Sequence, residues 1–232
     1  MWNEARLALA AFRVYRDPDR LDEVLEAATR LAKPHELDRV AGSLCDASPA
    51  FASAVRDRYT VKYDLADLAR RPAGSLGRAV ADHCARWKID PATFPKRPNE
   101  TRGDYILVHV ENTHDVWHPV CGFESDVVGE IGLQAFYLAQ FPNLLGLLLM
   151  AIANVHVMTR DARSTYPRLM EEITRGWLLG KRASPLFGVR WDAHWDRPLA
   201  DVRRELGIDV DGVARIMTVG ASGMEKRLAA VA

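Results

Sequence analysis

A short stretch near the middle of the 232-residue chain concentrates side chains that bind metal ions. It contains His114, Asp115 and His118, and Glu130 follows after a further eleven residues. Successive residues of a helix turn by about 100°, so His118 lies about 40° and Asp115 about 100° from His114. These three side chains share about a quarter turn, and all are metal-ligand types. The spacing therefore predicts a metal site on one helix face.

Glu130 is expected to complete this site from a second helix. Gly122 and Gly129 flank a turn that can bring the chain back over the first helix. Glu130 then lies near the N-terminus of the second helix, where the helix dipole favours a carboxylate. Two imidazoles and two carboxylates make a mixed nitrogen and oxygen site, for which zinc is the first expectation and Fe(II), Mn or Mg are alternatives. The alternative without a metal is an amphipathic helix end whose two histidines have ordinary hydrogen-bond partners.

Pro119 affects the local geometry, because a proline inside a helix clashes with the carbonyl group four residues earlier. The sequence predicts that the first helix kinks or ends at His118. Cys121 is a soft donor nearby, but a buried structural thiol is the favoured interpretation. The other histidines lack partners at ligand spacing or lie on apolar faces, and they are interpreted as core or surface residues: His35, His83, His109, His156 and His194.

Composition restricts the class of protein. The chain is 48% hydrophobic and 27% charged, as in soluble globular proteins. Lys plus Arg and Asp plus Glu both number 31, and this balance disfavours a nucleic-acid partner. Cys45, Cys84 and Cys121 form no CxxC pair, which fits a reducing compartment. The apolar run 7–12 is too short for a secretory signal, so we expect a cytoplasmic protein.

Apolar positions recur mostly at helical spacing, and long alternating strand runs are absent. We expect a mainly α, compact multi-helix single domain over residues 1–209 and a C-terminal tail over 210–232. Ser75 is the predicted N-cap of one helix, and the Pro-rich segment 90–103 is a subdomain boundary or surface loop. The predicted helices cover about 3–15, 18–33, 36–44, 49–59, 76 onward, 103–118, 127–158 with a break at Pro142, and 184–206.

Two apolar features have alternative interpretations. Leu144 to Met158 is nearly all apolar but shorter than the roughly 20 residues of a membrane span. A buried core helix is favoured; the wall of an apolar ligand site or a face against a bilayer are the alternatives. The second feature is a core stripe at helical spacing, which includes Trp191, Trp195, Leu199, Val202 and Leu206.

The spacing of His114, Asp115, His118 and Glu130 resembles the signature of the coenzyme Q biosynthesis protein 4 family. Residues 71–77 are similar to the family's Pro-x-Gly-(Ser/Thr)-Leu-Gly turn, and residues 129–136 to its Gly-Glu helix. The resemblance to its C-terminal helix pair rests on Trp177, Gly180, Trp191, Trp195, Pro198, Leu199, Arg203 and residues 206–208. Together these segments cover about residues 58–208.

The resemblance implies a mainly α, homodimeric protein that binds a divalent metal through His114, Asp115, His118 and Glu130. It also implies a prenylated aromatic lipid as ligand, peripheral membrane contact and partnership with other proteins of quinone biosynthesis. The implied function is ubiquinone biosynthesis, in which the carboxyl of a prenylated hydroxybenzoate ring is replaced by a hydroxyl. These four residues would then be catalytic as well as metal-binding.

Two other functions remain open. One is a non-catalytic, isoprenoid-lipid-binding scaffold, in which the metal is structural and residues 144–158 line a channel for the tail. The other is a phosphohydrolase of the HD superfamily, which shares the adjacent His-Asp pair and needs a further His and Asp. His83 and Asp161 are the candidates for those positions. The chain has no GxGxxG motif and no P-loop, so no nucleotide or flavin cofactor is indicated.

Overall fold

The computed structural model describes residues 34–93, 98–141, 144–160 and 165–218. These ranges are largely helical and contain no strand, which confirms the mainly α class. The helices are α1 (Pro34–Ala47), α2 (Pro49–Asp57), α3 (Leu65–Leu68), α4 (Leu76–Trp87), α5 (Arg102–Cys121), α6 (Val127–Gln140), α7 (Leu144–Arg160), α8 (Thr165–Arg182), α9 (Leu199–Glu205) and α10 (210–218).

Some predicted features lie outside the described residues. They are the helices expected over about 3–15 and 18–33, the candidate ligand Asp161, and the tail beyond residue 218. The domain boundary at residue 209 stays a prediction. The tail begins as a helix, and the side chain of Val213 is part of the main core.

Local hydrogen bonds explain where several helices begin. The Ser75 hydroxyl accepts from the Arg78 amide at 3.3 Å, which confirms the predicted N-cap of α4. Thr101 and Asp104 form a capping box at the start of α5, immediately after the Pro-rich segment. Asp126 caps α6 by accepting from the Gly129 amide at 2.7 Å. These caps fix the starts of the two helices that carry the candidate ligands.

Helix α5 lies at the centre of the fold and packs against α1, α4 and α9. It does not end at His118 but continues through Pro119 to Cys121. The Arg203 side chain of α9 donates to the carbonyl oxygens of Pro119 at 2.8 Å and Val120 at 2.9 Å. These carbonyls belong to the last turn, which has no further helical amides to bond. The guanidinium therefore stabilises the end of the helix that bears both histidines.

Helices α6 and α8 pack closely because glycines lie between them. A Cβ atom on Gly180 would lie 2.7 Å from the carbonyl oxygen of Phe136, and one on Gly176 would overlap the carbonyl of Gly132. Such contacts with backbone atoms leave no space for any other residue. The close approach anchors α6, and therefore Glu130, to α8.

Helix α7 packs on α6 with one face only. A second core cluster joins these elements with α8 and contains Val128, Ile131, Leu149, Ala153, Val157 and Leu169. On the other face Leu147, Val155 and Met158 are exposed, Met158 by 67%. The apolar segment 144–158 is thus partly a core helix and partly an exposed apolar surface. Among the described helices, none has both the length and the hydropathy needed to cross a bilayer.

The predicted helix over 184–206 is wrong. Residues Trp191–His194 form a short 3-10 helix, and α9 begins only at Leu199. The intervening backbone pairs with the turn before α4, since the amides of Leu76 and Gly77 donate to the carbonyls of Arg197 and Trp195, both at 2.9 Å. The core positions were nevertheless identified, because Trp191, Trp195 and Val202 are buried.

Candidate metal centre

The structure brings together three of the four predicted ligands. His114 and His118 lie one turn apart on α5, and Glu130 lies in the first turn of α6 as predicted. The two Nε2 atoms are 3.0 Å apart, and the Glu130 carboxylate oxygens lie 3.2 Å from His114 Nε2 and 3.1 Å from His118 Nε2. Within the described residues, these are the side chains grouped closely enough to hold one ion.

His118 is fixed by a backbone contact. Its side chain is 0% exposed, and its Nδ1 lies 3.2 Å from the carbonyl oxygen of Phe123. A carbonyl oxygen only accepts hydrogen bonds, so Nδ1 carries the proton and donates. The other ring nitrogen, Nε2, faces His114 and Glu130, and its lone pair is the one that a cation would bind.

His114 lies on the accessible side of the centre. Its ring is parallel to that of Tyr137, with 4° between the planes, and its Nδ1 is 3.5 Å from the Tyr137 hydroxyl. Tyr137 in turn stacks on Trp117 at 4.4 Å between ring centroids. The side chains of His114 and Glu130 are each 24% exposed. The centre is therefore closed at His118 and open between His114 and Glu130.

Glu130 reaches the histidines because the turn before α6 is tight. A Cβ atom on Gly129 would overlap the carbonyl oxygen of Glu124 and would lie 3.0 Å from its amide nitrogen. Glycine at this position lets residues 122–126 fold directly onto the start of α6. The conformation confirms the predicted turn between the two helices.

Electrostatic coupling links the carboxylate to the histidines. Burial alone raises the pKa of Glu130, but the charges and hydrogen bonds of His114 and His118 lower it overall, well below its usual range. Burial acts to lower the pKa of His114, whereas the Glu130 carboxylate raises it above the ordinary value. The Glu130 carboxylate therefore attracts positive charge to His114, and a cation would satisfy the same attraction.

Asp115 is not part of this group. It is only 3% exposed, and burial raises its pKa. After burial, the charge of Asp115 is the next cause that raises the pKa of the Cys84 thiol, to about 12. Its role as a metal ligand stays a prediction.

Sequence reasoning named His83 only as the further histidine of a phosphohydrolase, or as a core or surface residue, and did not predict that it packs on the buried ligand. The rings of His83 and His118 stack with centroids 5.0 Å apart and planes 20° apart, and His83 Nε2 lies 2.9 Å from the Ser125 hydroxyl. Burial, followed by the charge of His118, lowers the pKa of His83 to about 4. The only available signal was the predicted turn that contains Ser125. Cys121 is a buried free thiol, as expected.

The arrangement fits a divalent ion. Zinc lies 2.0–2.1 Å from its nitrogen and oxygen ligands, so tetrahedral ligand atoms are separated by about 3.3 Å. The two Nε2 atoms are 3.0 Å apart, and each lies 3.1 or 3.2 Å from a different oxygen of the Glu130 carboxylate, which is close to that separation. Three protein ligands with one open side are typical of a catalytic zinc site, in which a fourth position remains for water or substrate.

Comparison with known proteins agrees with the motifs. Residues 3–211 match the family of coenzyme Q (ubiquinone) biosynthesis protein Coq4. The chain belongs to the Coq4 family. The family resemblance seen in the sequence is thereby confirmed, and the chain is placed among proteins of ubiquinone biosynthesis.

Several relatives show how far the similarity extends. The ubiquinone biosynthesis protein coq4 of Sclerotinia sclerotiorum is 26% identical over 211 residues, which cover 86% of this Coq4-family chain and 71% of the relative. The COQ4 protein of Coprinopsis cinerea is 27% identical over 220 residues, covering 89% and 72%. The mouse COQ4 homologue is 25% identical over 151 residues, covering 62% of this chain and 54% of the mouse protein.

A solved structure shares the fold of this Coq4-family chain. It is the crystal structure of a Nostoc punctiforme protein provisionally assigned to ubiquinone biosynthesis, and it superimposes with a TM-score of 0.73 at 28% identity. The alignment covers 89% of this chain and 99% of the Nostoc protein. The helical architecture is therefore that of a solved structure whose provisional assignment is also to ubiquinone biosynthesis.

One expectation is corrected by these relatives. The sequence suggested a cytoplasmic location, but the Sclerotinia, Coprinopsis and mouse proteins are all named as mitochondrial. The cytoplasmic assignment is therefore wrong. It rested on the failure to recognise a targeting signal, which is weak grounds for assigning a compartment.

Proposed function

We propose that this chain is a metal-dependent enzyme of ubiquinone biosynthesis that replaces the carboxyl of a prenylated 4-hydroxybenzoate ring by a hydroxyl. The observation that supports the proposal is the convergence of His114, His118 and Glu130, whose ligand atoms all lie within 4.8 Å of one another. Membership of the Coq4 family supports a role in ubiquinone biosynthesis. The open side of the centre supplies a place for an anionic substrate group.

The reaction breaks the bond between the ring carbon and the carboxyl and forms a carbon–oxygen bond at the same carbon. The benzoic acid and one water give the phenol, carbon dioxide, two protons and two electrons. An oxidant of the dioxygen class, or an external redox metal, must accept those electrons. A divalent cation, zinc first among the candidates, would supply Lewis-acid chemistry toward the carboxylate and phenolate oxygens.

The protein's own residues have separate parts in this proposal. His118 is buried and held through Nδ1, so it provides a rigid ligand. Glu130 supplies negative charge that keeps a cation in place and limits the net positive charge of the centre. His114 and Glu130 border the open side, and the ring carboxylate would enter between them. Asp115, the fourth predicted catalytic residue, would contribute from the neighbouring buried position.

The test uses the full chain loaded in turn with zinc, Fe(II), Mn or Mg. A prenylated 4-hydroxybenzoate labelled with ¹³C at the carboxyl is added in air, and labelled carbon dioxide and the hydroxylated ring are measured together. We expect both products in equal amounts with the unaltered chain and neither with Glu130→Gln. Metal binding without turnover for every metal would contradict the enzymatic proposal.

A non-catalytic lipid-binding scaffold is the second candidate, and the exposed apolar face of α7 favours it. Leu147, Val155 and Met158 are available to an isoprenoid tail or to a bilayer surface. Isoprenoid lipid that copurifies with the chain, without turnover, would support the scaffold. In that case His114→Ala should unfold the protein and not merely abolish turnover. Membrane contact, a homodimer and association with other quinone-biosynthesis proteins remain part of both proposals.

A further inference from the structure

We propose that His83 is a positioning residue for the metal centre, holding the ring of His118 so that Nε2 faces the ion. The inference rests on the metal binding proposed above. His83 is not itself a ligand, because its Nε2 lies 2.9 Å from the Ser125 hydroxyl and it is not one of the converging side chains. Its contribution comes from its flat ring.

A bound imidazole must be fixed in two ways to present one nitrogen in a constant direction. The Phe123 carbonyl, 3.2 Å from Nδ1, fixes the rotation of the His118 ring within its own plane. That single contact does not prevent the plane from tilting. The His83 ring, 5.0 Å away and within 20° of parallel, covers one face of His118 and opposes the tilt.

The same turn supports both contacts. Residues 122–126 include Phe123, whose carbonyl is hydrogen-bonded to His118, and Ser125, whose hydroxyl is hydrogen-bonded to His83. The turn ends at Asp126, the N-cap of the helix that carries Glu130. The orientation of His118 and the position of Glu130 are therefore set by one short segment, and His83 is the link between that segment and the ring face.

The surroundings explain why loss of the ring should matter. His83 lines a surface depression of about 260 Å³ together with Pro119, Phe123 and Glu124. Removing a flat ring there would let the depression reach the covered face of His118. The ligand would then be hydrated and free to tilt, and an outer-shell loss of this kind typically weakens metal binding by about 10- to 100-fold.

The experiment compares His83→Leu with His83→Phe in the full chain. Both substitutions keep an apolar side chain and both remove the hydrogen bond to Ser125, but only phenylalanine retains a flat ring that covers His118. Zinc affinity is measured by competition with a chromophoric chelator. Circular dichroism of each metal-free variant checks folding, and His194→Ala serves as a distant histidine control.

We expect His83→Leu to bind zinc about 10- to 100-fold more weakly than the unaltered chain. His83→Phe and His194→Ala should each weaken zinc binding by less than about 10-fold, the lower end of that range. Equal affinities for all variants, or equal losses for leucine and phenylalanine, would overturn the inference while leaving the metal centre intact. If the unaltered chain binds no zinc, the metal centre itself is refuted and the positioning role falls with it.

Discussion

Gly176 of α8 packs directly on the carbonyl group of Gly132 in α6, and no side-chain atom fits between them. We expect Gly176→Ala to lower the free energy of unfolding by about 3 kcal/mol, because a rigid backbone carbonyl cannot move aside. This loss should exceed the gain in helix propensity that alanine brings. Urea denaturation followed by circular dichroism measures the difference.

Gly42 provides the matched control on α1. A Cβ atom there would lie 3.8 Å from the Arg102 side chain, which is ordinary contact. Gly42→Ala should therefore stabilise the protein by up to about 1 kcal/mol, through helix propensity alone. Equal effects at the two glycines would show that α6 and α8 do not pack as closely as described.

Arg203 stabilises the end of α5 through two backbone carbonyls, those of Pro119 and Val120. We expect Arg203→Ala to lower the free energy of unfolding by about 2–4 kcal/mol. Each hydrogen bond from a charged donor contributes roughly 1.5–3 kcal/mol, and water will partly replace the lost guanidinium. The neighbouring Arg204→Ala should change stability by less than about 1 kcal/mol, since Arg204 pairs with Asp201 at the surface. A loss at Arg204 as large as that at Arg203 would refute this account.

His109 makes the fold sensitive to acid. The Gly188 amide donates to His109 Nε2 at 3.1 Å, so that nitrogen must remain unprotonated. Burial lowers the pKa of His109 from 6.5 to about 3. As the pH falls below 6.5, the unfolded chain takes up a proton that the folded chain refuses until about pH 3. Stability should therefore fall by about 1.4 kcal/mol per pH unit over that window.

His109→Gln tests this interpretation, because the amide can accept from Gly188 but does not titrate. The slope of unfolding free energy against pH, between pH 3 and 6, should decrease by the contribution of one proton relative to the unaltered chain. An unchanged slope would mean that His109 is protonated in the folded state.

Glu130 and Asp115 should differ in their effect on metal binding. Glu130→Gln removes a group that faces both histidines, so zinc affinity should fall by more than the roughly 100-fold expected for an outer partner. Asp115→Asn alters a carboxyl outside the converging group and should lower zinc affinity by no more than about 10- to 100-fold. Isothermal titration with zinc distinguishes the two. A larger loss for Asp115 would assign it, and not Glu130, as the ligand.

The side chains of the candidate metal centre could be predicted from the sequence, because helical geometry determines positions over short distances. The four-residue spacing of His114 and His118 and the glycine-flanked turn before Glu130 were sufficient to predict convergence. Asp115 was assigned to the same group because it lies about 100° from His114, but its side chain is not one of the three that converge. The packing of His83 on His118 could not be predicted, since that contact depends on how two helices pack.

The C-terminal region shows a different limit. Trp191, Trp195 and Val202 have helical spacing, and all three are buried, but two of them lie outside α-helices. The backbone around Pro198 pairs instead with the turn at residues 74–77, a long-range contact that periodicity cannot reveal. Burial was predicted correctly there, whereas secondary structure was not.

The central claim is that His114, His118 and Glu130 hold one divalent cation. Crystals of the full chain grown with stoichiometric zinc, measured on both sides of the zinc absorption edge, test it directly. We predict a single anomalous peak in contact with both Nε2 atoms and the Glu130 carboxylate. A map with no peak there, or with zinc bound elsewhere while these three side chains keep their hydrogen bonds, would contradict the account.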